Sequence, residues 1–320
     1  MFDFEGITLN NRPREGHEMS ELFHIVTDGS CDLPVELTKE KNLTVVPFYV
    51  SFDDKTYKKE IVEIGIRDFY QEMVDHPKVY PKSSMPSVHD FVEAFTPFAQ
   101  VGMPVICICI TTKFSGSMQS AVSAKELVLE EYPEAKIHVI DSRINTVLQG
   151  IYTLEAVRIR DAGWDYDRAI ARLEEIRDTG RIFFTVGDME YLKHGGRIGK
   201  VAGVAGSILG IRPVITLKQG EIFPSGIGRS RKGTTQKAIE LLVTYLKEQS
   251  ISADKFTVCI GFGYDMEEAK AFRERAYEAL RAANLDLKEE IKLYQIGATI
   301  SVHTGPYPLG FGVVEKSIHD

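Results

Sequence analysis

Five hydroxyl side chains crowd ten residues of this chain: Thr111, Thr112, Ser115, Ser117 and Ser120, with Gly116 among them. They follow Ile106-Cys-Ile-Cys-Ile110, an apolar run that reads as a strand buried on both faces. Downstream, Ala121, Ala124, Leu127 and Val128 recur at helical spacing. A strand, a Gly/Ser turn and a helix start in succession offer free N–H groups and hydroxyls, which suit a carboxylate or phosphate. The same hydroxyls also suit simple helix capping. Three further clusters carry chemistry of this kind. Lys82-Ser-Ser-Met-Pro-Ser87 holds hydroxyls between two prolines and ends in an N-cap. Ser301-Val-His-Thr-Gly-Pro306 sets His303 and Thr304 just before a Gly-Pro turn, between two strand-like segments. Gly195-Gly-Arg-Ile198 either aims the Arg197 guanidinium through positive backbone angles or merely caps a helix.

The elements that must position these groups alternate between apolar strands and amphipathic helices, the pattern of an α/β protein. Strands are expected at Phe23–Thr27, Val45–Phe52, Ile106–Ile110 and Ile137–Ile140, and helices at Ile64–Val74, from Ser87, at Asn145–Asp161 and at Asp165–Thr179. Polar loops that follow such strands gather at one edge of a parallel sheet, where ligands bind. Beyond Gly180 the expected order is strand Ile182–Val186, a small-residue helix Val201–Leu209 and a hairpin turning at Gln219-Gly220. Helix Thr235–Lys247, strand Phe256–Phe262, helix Asp265–Ala282 and strand Lys292–Gln295 complete a second α/β unit. The expected division is a polar extension over 1–21, an N-terminal domain over 22–179 and a C-terminal domain over 180–320.

At 320 residues the chain is long enough for two domains with a large core. A net charge of −8 argues against nucleic acid as a partner. The four cysteines lack zinc-site spacing, and Cys107 and Cys109 share one strand face as small hydrophobes, which fits a reduced cytoplasm. The longest weakly polar run, Val201–Ile211, is well short of the roughly 20 residues of a membrane-spanning helix, and the first twenty residues lack the apolar core of a secretory signal.

Seven segments in order resemble the DegV family: Thr27-Asp-Gly-Ser-Cys-Asp-Leu-Pro34, Val45–Phe52, Pro81–Ser87, Ile110–Ala121, Val139-Ile-Asp-Ser142, Glu190–Ile198 and His303–Pro306. The resemblance implies a two-domain α/β fold with a parallel-sheet N-terminal domain, a mixed C-terminal domain and a lipid site between them. It implies no cofactor, but a bound long-chain fatty acid such as palmitate. It further implies presentation of the carboxylate to a separate ATP-binding subunit of a fatty-acid kinase, which makes the acyl phosphate. Carried over by position, Ser83 and Ser115 would hold the carboxylate and His303 would complete the group. Thr111, Thr112, Gly116, Ser117, Ser84, Arg197 and Thr304 would support it. Ser83 stands where the family usually has threonine, Met85 replaces a common glutamine, and Thr111-Thr112 replaces a common serine pair.

Other readings make different demands. A lipid carrier or sensor without a kinase partner needs the same site. The resemblance also extends to the fold of dihydroxyacetone kinase, but a nucleotide-dependent kinase needs a phosphate cradle. Gly226-Ile-Gly228 and Gly261-Phe-Gly263 are incomplete fingerprints, and no Walker A lysine follows either. A hydrolase built on Ser115 or Ser117 with His303 lacks the G-x-S-x-G elbow. Finally, Tyr191–Lys232 holds eight basic residues against the single acid Glu221, which suits either a solvated face or docking on an acidic partner or, transiently, a membrane surface.

Overall fold

A computed structural model describes residues 22–205 and 212–319. The extension expected over 1–21 lies outside the described residues, as does the C-terminal part of the helix expected at Val201–Leu209.

The first half of the chain runs β1 (His24–Asp28), α1 (Val35–Glu40), β2 (Leu43–Val46), β3 (Tyr49–Ser51), β4 (Lys58–Lys59), α2 (Ile66–Asp75), β5 (Lys82–Ser84), α3 (Val88–Gln100), β6 (Val105–Cys109), α4 (Ser117–Glu131), β7 (Ile137–Asp141), α5 (Thr146–Asp161) and α6 (Tyr166–Arg177). Strands β2-β1-β6-β7 form a parallel sheet. Its inner strand β6 is buried at every residue, as a parallel strand covered on both faces requires. Helices α3 and α4 pack one face through Phe91, Phe95, Ala121 and Val128. The strand expected over Val45–Phe52 is two strands. The chain breaks at Pro47, and β3 leaves for a small antiparallel sheet of order β4-β3-β5, in which Val50 pairs with Ser83. Helix α3 begins with a capping box: Ser87 Oγ accepts from Asp90 N, and the Asp90 carboxylate accepts from Ser87 N.

The second half runs β8 (Arg181–Thr185), α7 (Glu190–His194), α8 (Ala202–Ala205), β9 (Arg212–Lys218), β10 (Glu221–Gly228), α9 (Arg231–Lys247), β11 (Phe256–Phe262), α10 (Met266–Ala282), β12 (Lys292–Gln295), α11 (Ala298–Thr304) and β13 (Leu309–Glu315). These strands form a mixed sheet of order β10-β9-β8-β13-β11-β12, antiparallel except where β11 meets β12. The β9–β10 hairpin turns at Gln219 and Gly220, both with positive φ, as a tight two-residue turn demands. Helices α9 and α10 cover one face of this sheet. The other face meets α5, of whose sixteen residues thirteen are buried.

A continuous core runs from Ile25, Ile106 and Ile108 of the parallel sheet through Leu148 and Tyr152 of α5 to Ile182 and Leu217 of the mixed sheet. A smaller apolar cluster joins Val50, Phe69 and Tyr70 to Tyr191, Ala298 and Val302. Residues of α7 and α11 are thereby held against β3 and α2, and the loops of the two halves converge.

Candidate functional site

At this convergence lies a cavity of about 280 Å³. Its walls are mostly apolar. Phe48, Ile110, Phe114 and Val147 come from the first half, and Ile182, Phe184, Leu192, Leu217, Ile222, Ile296, Ile300 and Phe311 from the second. The polar lining includes Ser83 and Ser84 of β5, Ser115 of the β6–α4 turn, Arg197 just after α7, and His303 and Thr304 of α11.

His303 Nε2 lies 3.3 Å from Ser83 Oγ. Burial, reinforced by the nearby Arg197 charge, pushes its pKa down to about 4, so the ring is neutral at neutral pH. Its Nδ1 is buried without a partner. The ring presses on the C-cap of α7, where a Cβ added to Gly195 would collide with Nδ1. Gly196 does both things expected of the pair, and Gly195 has a role that was not expected. Gly195 yields room for His303, while Gly196, at φ +66°, ends the helix and turns the chain toward Arg197.

The Arg197 guanidinium donates from Nε and Nη2 to Phe114 O at 3.2 and 2.9 Å, and from Nη1 to Gly195 O at 2.9 Å. It ties the β6–α4 turn to the end of α7 and is exposed at the cavity wall. Ser115 Oγ accepts from Ser117 N at 3.2 Å, so the hydroxyl satisfies a helix-start N–H and keeps its own proton to donate. Met85 and Gly116 complete the lining beside it.

Of the residues expected at this site, Ser83, Ser84, Ser115, Gly116, Arg197, His303 and Thr304 line one cavity. Three do not. Thr112 is exposed and donates to Asp141 Oδ2, because the turn leaves it at the surface. Thr111 is buried with its hydroxyl accepting from Lys113 N. Ser117 is buried on the far side of the α4 start and donates to Asp28 Oδ2 at 2.8 Å. The segment around His303 does lie between two strands, β12 and β13, but His303 itself sits in the last turn of helix α11, which was not expected.

Sequence reasoning left Asp28, Asp32 and Glu60 without a role. All three are buried and ligated by donors from helix starts and turns, Thr146 Oγ to Asp32 and Thr299 N to Glu60 among them. Acids standing in and near a Gly-Ser-Cys turn were the available signal. Thr146, a β-branched residue at φ +50°, lines the cavity, and its strain is held by the Asp32 bond. Among the described residues no group of three or more His, Cys, Asp or Glu could hold a metal ion. Nor is any helix among them long and apolar enough to cross a membrane. All four cysteines are free and buried.

Sequence and fold comparisons agree with this architecture. The profile described as "Uncharacterised protein, DegV family" matches residues 22–316. The chain belongs to the DegV family. A DegV domain-containing protein of Clostridium perfringens is 31% identical over 92% of this chain and 99% of its own length. A stearic acid-binding protein from Eubacterium ventriosum is 44% identical with a TM-score of 0.87, and a DegV family protein from Thermus thermophilus described as fatty-acid-binding is 27% identical with a TM-score of 0.80. Each covers 92% of this chain and 99% of the other.

Proposed function

We propose that this chain binds a long-chain fatty acid such as palmitate in the cavity, its tail among the apolar walls and its carboxylate held by Ser83, Ser115 and His303. The observation that carries this reading is an apolar cavity whose polar lining holds two hydroxyls and a neutral imidazole, with Arg197 exposed at its wall and, among the described residues, no buried cation in the lining. A carboxylate taken from water into such a place needs its lone pairs satisfied. Hydroxyls and N–H groups at a helix start do so without fully neutralising it. The fatty-acid-binding relatives support the same ligand class. The division at residues 179–180 fits this reading, because the cavity takes walls from both sides of it.

The finer reading is that the chain presents the carboxylate, without catalysing its activation, to a separate kinase subunit that forms the acyl phosphate. A carboxylate bound by hydroxyls stays nucleophilic toward a phosphoryl donor. A hydrolase is disfavoured, since His303 Nδ1 has no acid to orient it. The basic stretch supports docking on an acidic partner: Arg212, Lys218, Arg229 and Lys232 are exposed, with Ile227 beside them at 59% exposure. Lys193, Lys200 and Arg231 are instead paired with Glu190, Glu221 and Glu268. The cytoplasm is the compartment this role implies.

Organic extraction of the purified protein followed by mass spectrometry should recover a fatty acid of long chain. Finding none, with no palmitate bound on addition, refutes the proposal. For the partner, charge reversal at Arg229 and Lys232 should abolish acyl-phosphate formation by an added kinase subunit while palmitate still binds; unchanged turnover refutes docking there.

A further inference from the structure

Asp28 ends β1 and is fully buried. Its Oδ2 accepts the Ile110 N–H at 2.9 Å and the Ser117 hydroxyl at 2.8 Å, and its Oδ1 accepts Gln149 Nε2 at 2.8 Å. The Ser30 N–H also donates to it. Ile110 and Ser117 are the two ends of the turn that carries Ser115 and Gly116. One carboxylate therefore grips both ends of the segment that supplies the main candidate ligand for the fatty-acid headgroup.

All four of these groups donate to the carboxylate; once protonated, Asp28 carries an O–H of its own, which only the Ser117 oxygen could accept, and then at the cost of that hydroxyl's donation. We propose that Asp28 is a positioning residue, whose carboxylate clamps residues 110–117 and so aims Ser115 into the cavity, and whose protonation opens the clamp and weakens ligand binding. This rests on the fatty-acid reading above and adds regulation by protons to it. Burial raises Asp28 to about 6 against the lowering effect of Gln149, Ile110, Ser117 and Ser30; opening the turn removes donors while the side chain stays buried, which raises it further, so protonation favours the open turn. The ionisable groups coupled to it are Cys31 and Asp32 on the following turn, Glu60 near β4 and Cys109 on β6. Each of them is an acid or neutral, so ionised Asp28 relies on its donors. If the ligand prefers ionised Asp28, linkage requires that binding release a proton near pH 6.

The test uses the full chain stripped of lipid, with palmitate affinity and hydrogen exchange followed from pH 5 to 8. In the parent, protection of 110–117 and affinity should both fall together as pH drops through about 6. Asp28→Asn turns an acceptor into a donor; it should weaken binding at least about tenfold at pH 7.5 and remove that transition. Ser117→Ala, a gentler change, deletes one donor and should move the transition upward in pH. A transition of the same position in all three proteins, or none in the parent, overturns the proposal. Should the parent bind no palmitate at any pH, the fatty-acid reading fails, while the exchange of 110–117 in ligand-free parent and Asp28→Asn still decides the clamp.

Discussion

Ser115 serves two masters, since its oxygen accepts the Ser117 N–H while its proton points to a different use. Capping and binding are therefore compatible in one hydroxyl. Ser115→Ala is expected to raise the palmitate Kd by at least about tenfold, the scale of a hydrogen bond to a charged group, and to lower the unfolding midpoint by the roughly 1 kcal/mol of a lost helix-start cap. Calorimetric titration and thermal unfolding separate the two effects; equal Kd values would remove Ser115 from the site. Residue types alone pointed to capping or anion binding at this turn, and the resemblance to the DegV family singled out Ser115. By themselves the residue types could not separate Ser115 from Ser117, two positions away. The helical turn swings Ser117 into the interior, onto Asp28, and that depends on where β1 lies.

At the scale of elements, α7 and α11 meet where Gly195 faces His303. Gly195→Ala should push the imidazole away from Ser83 and weaken palmitate binding severalfold, and restoring room with His303→Ala should make the Gly195 change nearly silent, a coupling measurable in a double-mutant cycle. Ser87→Ala should cost about 1 kcal/mol through loss of the capping box, read as a lower unfolding midpoint. The room that Gly195 leaves for His303 was not legible beforehand; the capping box was, as Ser87 with Asp90. Helix α11 was not. Thr299, Ile300, Val302 and Thr304 are β-branched and suggest a strand. Tertiary contacts override that preference: Glu60 takes the Thr299 N–H at the helix start, and Ala298 and Val302 pack against Val50 and Phe69. Likewise Val45–Phe52 reads as one strand because its apolar run is continuous, yet Pro47 lets it divide between two sheets.

For the molecule as a whole, the buried acids set the pH response. Asp28 and Glu60, held by burial at about 6 and about 7 against ordinary values of 3.8 and 4.5, bind protons more tightly when folded. Their contribution makes stability fall as pH rises from about 4 through 7, and Asp32, also raised, acts in the same direction. His303 opposes them, because its value drops from 6.5 to about 4 and its share of stability is lost as pH falls across that range. Acids outnumber the histidine, so ligand-free protein should unfold at higher temperature at pH 5 than at pH 8, and Glu60→Gln should flatten the decline between 4.5 and 7. A midpoint that rises toward pH 8 would contradict this balance. The sequence by itself determined the α/β alternation, the strand-turn-helix unit around Ser115 and the hairpin at Gln219-Gly220, because hydrophobic period, capping and turn chemistry act over a few neighbouring residues. Only the tertiary structure decided which hydroxyls share a cavity, that His303 sits neutral on a helix, and that Asp28 holds the Ser115 turn. Those outcomes come from contacts across tens to hundreds of residues, where burial and the meeting of distant elements set both geometry and charge.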